Sequence, residues 1–276
     1  SEFKQMCREG NLISVYEEFL ADIETPVSAY LKLREDSFSY LLESADSGNR
    51  WGRYSFIGIR PFLKVLSRDN GVEISRIDSS EVVKDIENPL LVLRELLKEY
   101  NPVRAEGLPS FQGGLVGYVN YDLIRKWERL PGIYALDRDI PESIFMASRI
   151  IVIFDHLSHE VKVVSFAVIE KGGDPSEIYN NACIEVEETI GKLRGPMPQS
   201  AAEDSLSVSE LKSNFKQEDF EEAVRKAKEH IVAGDIIQVV LSQRFSAGMS
   251  GECFSLYRRL RSVNPSPYMF YLDFGE

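Results

Sequence analysis

The sequence contains no run of about 18 apolar residues, the length that a membrane-spanning helix requires. Its first ten residues, SEFKQMCREG, lack the basic-then-apolar order of a secretory leader. Lysine and arginine are not gathered into any basic stretch, and 32 of them against 44 acidic residues leave a net charge of −12. Such a chain repels a phosphate backbone, so neither nucleic acid nor a membrane is expected as a partner. Cysteine is scarce: Cys7, Cys183 and Cys253 are far apart, with no CxxC, which excludes a zinc knuckle and a disulfide framework. A reducing cytoplasm is the expected location. Only three histidines are present, and neither HExxH nor GxSxG occurs. The glycines of FQGGLVGYVNYD (111–122) match neither GxxxxGK[ST] nor a helix-opening GxGxxG. They read instead as a bulge or a close backbone approach.

What is present is an ordinary globular composition, 43% hydrophobic and 28% charged over 276 residues, enough for one large domain or two modest ones. The pattern predicts a helix near 14–21 and a strand over 28–34. Strands over 54–66 and 72–77 flank the turn Asp69-Asn70-Gly71. A helix starts at Asn88-Pro89 with Leu90, Leu93 and Leu97 on one face. Strands follow at 112–121, 150–154 and 161–167, with Asp155-His156 read as part of a polar hairpin turn. A helix over 176–193 takes Cys183 as a small core residue. Residues 194–212 are poor in large apolar side chains and read as a linker. Beyond them, Phe220, Val224, Ala227 and Ile231 mark one helix face closed by Gly234, then a strand over 236–246, a helix over 254–261 and a strand over 270–274. Strands with hairpin connections and helices between them give an α+β class. The final YLDFGE reads as a strand with nothing to close it, so the chain is expected to be truncated.

Three segments carry polar groups where the pattern expects core. In GDIIQVVLSQRF (234–245) an extended backbone would put Gln238, Ser242 and Arg244 on one face, a wall suited to a small anion. In NPSPYMFY (264–271), Pro265 and Pro267 stiffen the approach to a strand, leaving carbonyls outside a regular ladder. In LLESADSGNRWGRYSFIG (41–58), Glu43 and Ser44 follow two leucines. Together, Glu43, Ser44, those carbonyls and Met269 offer the acceptors, donors and apolar slot that a large free amino acid needs. Strand neighbours point oppositely, so Ser44 is expected to face the ligand and Glu43 to pair with a cation such as Arg50 or Arg53.

Taken in order, TPVSAYLKL, LLESADSGNRWGRYSFIG, FQGGLVGYVNYD, FDH, GDIIQVVLSQRF and NPSPYMFYLDF resemble the anthranilate synthase component I family. The resemblance implies a fold of antiparallel sheets packed face to face with helices outside. It also implies conversion of chorismate and ammonia to anthranilate and pyruvate, Mg²⁺ as cofactor, a glutamine amidotransferase subunit as partner and L-tryptophan as feedback inhibitor. Carried over to matching positions, the tryptophan site comprises Glu43, Ser44, Pro267, Tyr268 and Met269. Related isochorismate and salicylate synthases have a water-activating lysine where this chain has Gln238. A carboxamide cannot take that proton near neutral pH, whereas ammonia is already nucleophilic, so Gln238 marks an amine-transferring member.

The resemblance implies three regions: 1–193 as the tryptophan-binding part, 194–212 as linker, and 213–276 as the beginning of a chorismate-binding domain. The family's metal-binding glutamates would follow Glu276, so the chain alone is expected to be inactive and to hold no metal ligand. Aminodeoxychorismate synthase component I and a non-catalytic amino-acid-binding module are the alternatives. The full LLES and NPSPYMF segments favour anthranilate synthase over the former.

Overall fold

The structure is a computed structural model that describes residues 2–35, 38–44, 52–68, 71–77, 79–86, 88–130, 140–170, 172–198 and 206–275. In chain order its elements are α1 (Glu2–Glu9), β1 (Leu12–Leu20), α2 (Pro26–Leu33), β2 (Ser39–Ser44), β3 (Tyr54–Arg68), β4 (Gly71–Arg76), β5 (Ser80–Val83) and α3 (Pro89–Lys98). There follow β6 (Pro102–Val103), β7 (Leu115–Val119), a 3-10 turn (Tyr121–Lys126), β8 (Ser143–Asp155), β9 (Glu160–Val168) and α4 (Pro175–Arg194). The remainder comprises β10 (Ser207–Val208), β11 (Lys212–Ser213), α5 (Gln217–Ala233), β12 (Phe245–Ser246), β13 (Met249–Ser250), α6 (Cys253–Val263) and β14 (Tyr268–Asp273). Two compact units result: Ser1–Ala201 together with Asn264–Glu276, and Ala202–Val263. The last strand, assigned by sequence to the third region, therefore belongs with the first.

The first unit is α+β, as expected, and its strands form one ten-stranded sheet ordered β14-β2-β3-β8-β9-β1-β6, with β4, β5 and β7 attached off that path. Apart from the short parallel β1–β6 contact, the pairings are antiparallel. The long β3–β8 ladder carries a register shift between Pro61 and Leu63, where Arg60 takes φ 50°. Beyond this bulge β3 leaves β2 and pairs β4, so two lobes of sheet share one spine. Ile150, Ile151, Val152, Ile153 and Phe154 are all buried, which is what a strand covered on both faces requires. Helix α4 packs on β9 and β1, and its Glu185 accepts hydrogen bonds from Arg149 and Ser165 of the sheet.

In the first unit, two sequence expectations fail. Residues 14–20 are in β1, which pairs β9 in unbroken register from Leu12↔Val168 to Leu20↔Glu160; sheet pairing overrides a local spacing that also fits a helix. Residues 28–34 fall mainly in α2, not a strand. Thr25 caps it in a capping box with Ser28, Pro26 sits at the first turn, and Ala29, Tyr30, Leu31 and Leu33 are all buried. Alternation could not distinguish a helix buried on most sides from a half-buried strand.

Elsewhere in the first unit the expected elements form. Asn88 caps α3 by accepting from the Leu90 N–H, although Leu96 rather than Leu97 is buried beside Leu93. In α4, Ala182, Val186, Ile190 and Leu193 are buried, while Cys183 is only half-buried. The strands flanking the 69–71 turn pair Arg68 with Gly71; Asp69 and Asn70 lie outside the described residues. So does part of the expected linker, 199–205.

In the second unit, Gly234 closes α5 at φ 84°, as expected, but none of α5 is buried. The strand expected over 236–246 is reduced to Phe245–Ser246, paired with Lys212–Ser213. Residues 236–244 have no ladder partner among the described residues, and without one a strand has no hydrogen bonds to hold it.

The glycine reading of 111–122 holds. Gly113 and Gly114 take φ 153° and 130°, and a Cβ on Gly117 would press into the backbone carbonyl of Ile144 on β8. Gly117→Ala is therefore expected to destabilise the first unit by about 2–3 kcal/mol, since backbone cannot yield as a side chain does. Gly191→Ala, where α4 leaves open space, should stabilise by roughly 0.5–1 kcal/mol. Denaturant melts of the two variants followed by circular dichroism would check both signs.

Candidate ligand site at the paired segments 39–44 and 268–273

Strand β14 lies against β2, with Tyr268 opposite Ser44, Met269 opposite Glu43 and Phe270 opposite Leu42. Pro267, exposed and immediately before the strand, terminates the irregular approach where a missing N–H costs no ladder bond. Two segments more than 200 residues apart in sequence are thus hydrogen-bonded neighbours.

The ladder has no bulge, so side chains alternate strictly. Directly opposed residues share a face, which places Ser44, Tyr268, Leu42 and Phe270 on one side and Glu43 and Met269 on the other. Four of the five candidates meet in one ladder but divide between its faces, and Pro267 lies just before it. Ser44 is half-buried, and the rings sharing its face are open to solvent, Tyr268 at 62% and Phe270 at 67% exposure. Leu42 is opposite Phe56 of β3 on the same face, and Phe56 makes an edge contact with Phe111 at 4.9 Å. This face therefore offers a hydroxyl among four aromatic rings. Glu43, on the other face, is buried.

A chain of polar contacts ties the end of β2 to the β8–β9 turn. The Ser44 N–H donates to Ser55 Oγ at 3.2 Å, and Ser55 Oγ lies 2.8 Å from His156 Nε2. The His156 N–H in turn donates to the Arg53 carbonyl. Arg53, expected as a partner for Glu43, forks onto Asp155 instead, with Nη2 to Oδ2 at 2.6 Å. The reason is register: Tyr54 is opposite Asp155, so the residue before β3 lies beside that carboxylate. The other expected partner, Arg50, lies outside the described residues. Nothing in the local pattern around Ser55 or His156 pointed to Ser44: the Ser44–Ser55 contact spans 11 residues, but the one on to His156 spans 101.

Residues 39–276 match the model of the chorismate binding enzyme family. The chain belongs to this family. It is 37% identical to anthranilate synthase component 1 of Acetivibrio thermocellus and 39% to that of Synechocystis sp., covering 99% and 100% of this chain and 56% of each relative. The protein of the same name from Thermus thermophilus is 40% identical over 94% of this chain and 53% of that protein. The crystal structure of anthranilate synthase component I from Streptococcus pneumoniae TIGR4 superposes with a TM-score of 0.63 at 26% identity, covering 91% of this chain and 53% of that one. The chain spans about half the length of the curated relatives it matches.

Gln238 is exposed, in the irregular segment between α5 and β12 of the second unit. No group of three or more His, Cys, Asp or Glu side chains among the described residues could hold a metal ion. The Mg²⁺ that the resemblance implies has no fitting ligand set among the described residues. No helix among the described residues is long and apolar enough to cross a membrane.

Burial alone would raise the Asp155 carboxyl pKa, but the Arg53 guanidinium and the Leu157 N–H outweigh it and hold the carboxyl below its usual range. A folded pKa below the unfolded one stabilises the fold above about pH 4, the unfolded value, and that contribution is lost as pH falls through the folded value. Asp155→Asn should be less stable than the parent at pH 7, and the gap should narrow as melts are run from pH 5 toward pH 2.

Proposed function

We propose that this chain is the N-terminal part of an anthranilate synthase component I, and that the β2–β14 ladder is its L-tryptophan feedback site. One observation carries the site reading: the LLES and PYMF segments, which the resemblance assigns to one amino-acid pocket, are adjacent strands with Ser44 opposite Tyr268. In the whole enzyme, chorismate and ammonia would give anthranilate and pyruvate, with ammonia delivered by a glutamine amidotransferase subunit. The family match and the names of the relatives support that chemistry. Gln238 supports amine transfer over hydration, since its carboxamide cannot serve as the base that activates water. Mg²⁺ dependence and a cytoplasmic location belong to the same proposal.

The Ser44 face has the chemistry such an inhibitor needs. Tyr268, Phe270 and Phe56 can stack on an indole, and the Ser44 hydroxyl can donate to a carboxylate. Held by Ser55, the Ser44 backbone keeps that hydroxyl at the strand end. Tryptophan would inhibit by binding one arrangement of this ladder more tightly than another, a shift that needs only differential affinity.

A thermal-shift titration tests the site. A ligand that binds only the folded state stabilises it by about 2.7 kcal/mol at a hundredfold excess over Kd. L-tryptophan should raise the melting temperature, L-phenylalanine should do so far less, and Ser44→Ala should abolish the response. A tryptophan response that survives Ser44→Ala would remove the site from this face, and none at all would sink the assignment for this chain. Incubated with chorismate, ammonia and Mg²⁺, the chain alone should give no fluorescent anthranilate, because the resemblance places the family's metal ligands beyond residue 276.

A further inference from the structure

A cavity of about 400 Å³ lies within the first unit, on a part of the sheet that includes no residue of β2 or β14. Its floor includes Ser14, Ser148 and Phe166; Leu97 and Tyr100 at the end of α3 form one wall, and the loop 110–115 forms the roof. The size is within the range of small-molecule sites. The roof approaches the floor closely at Gly113, where a Cβ would come within 2.7 Å of the Phe166 ring, and Gln112 ties the roof down by donating to the Ala105 carbonyl.

One feature separates this cavity from a packing fault. At the mouth, the exposed Arg104 has neither an ion pair nor a hydrogen-bond partner among the described residues, in a chain where acidic residues outnumber basic ones 44 to 32. The described lining residues include no Asp, Glu or His. An apolar slot with one guanidinium and no counter-anion accepts a carboxylate or similar anion on a flat apolar body. Its described lining holds no carboxylate to neutralise an ammonium group, which sets it apart from a site for a free amino acid.

We propose that this cavity binds an aromatic monocarboxylate lacking an amino group, its carboxylate on Arg104 and its ring between Tyr100, Leu63 and Phe166. The site is independent of the tryptophan reading, and neither stands or falls with the other.

Calorimetric titration of the chain with 1-naphthylacetate, and with 1-naphthylacetamide as its uncharged twin, tests the proposal. The acid should bind saturably and about tenfold more tightly than the amide, the scale of one charge-assisted hydrogen bond. Arg104→Gln, at an exposed position, should reduce the acid to the affinity of the amide. Leu97→Trp should abolish binding of both; Leu97 is 50% exposed, so a larger ring can be carried there without disturbing the fold. Thermal melts of both variants confirm folding. Absence of saturable binding by the acid, or acid binding unchanged by either substitution, overturns the proposal.

Discussion

The pairing of β3 with β8 is the constraint on which the rest depends. Both strands are long, and neither keeps the same outer neighbour along its length: β3 passes from β2 to β4, and β8 from β7 to β9. The bulge at Pro61–Leu63 permits the change. Arg60 takes a left-handed backbone there, and its side chain is held by Glu35 and Glu188. Non-glycine residues occupy that region at a cost, which surrounding contacts must outweigh. By reorienting one lobe relative to the other, the bulge lets a single spine carry both the ladder that holds Ser44 and the sheet that floors the Arg104 cavity.

The candidate ligand ladder is a lesson in alternation. Glu43 and Ser44 look like a pair in the sequence, and both lie in the segment that the family resemblance marks. A regular strand nevertheless sends them to opposite faces, and β14 repeats the division with Tyr268 and Met269. The Ser44 face presents aromatic rings and one hydroxyl, while the Glu43 face is closed. A polar relay through Ser55 and His156 fixes the first of these, and the Arg53–Asp155 fork anchors the turn from which that relay comes.

Much of the fold was legible where a local chemical signal had one meaning. Asn88-Pro89 and Gly234 set helix ends through backbone hydrogen bonds that only such residues satisfy. The glycines of 113–117 could be read as close approaches because no phosphate-loop spacing accompanied them. The expectations over 14–21 and 28–34 fail where pattern alone carries them. In the second, Thr25-Pro26 and Ser28 held the decisive cap, a signal that outranks alternation. In the first no local signal existed, since what makes β1 a strand is its partner β9, some 150 residues away.

The sequence by itself determined the α+β class, the family and the segments that matter, because those rest on residue types in a fixed order. Only the tertiary structure decided which side chains meet. That Ser44 is opposite Tyr268, that Arg53 takes Asp155 rather than Glu43, and that Arg104 overlooks an apolar cavity all follow from register between distant strands and from loops laid across them. Register is fixed by burial of whole faces at once, a collective quantity that no short stretch of sequence contains.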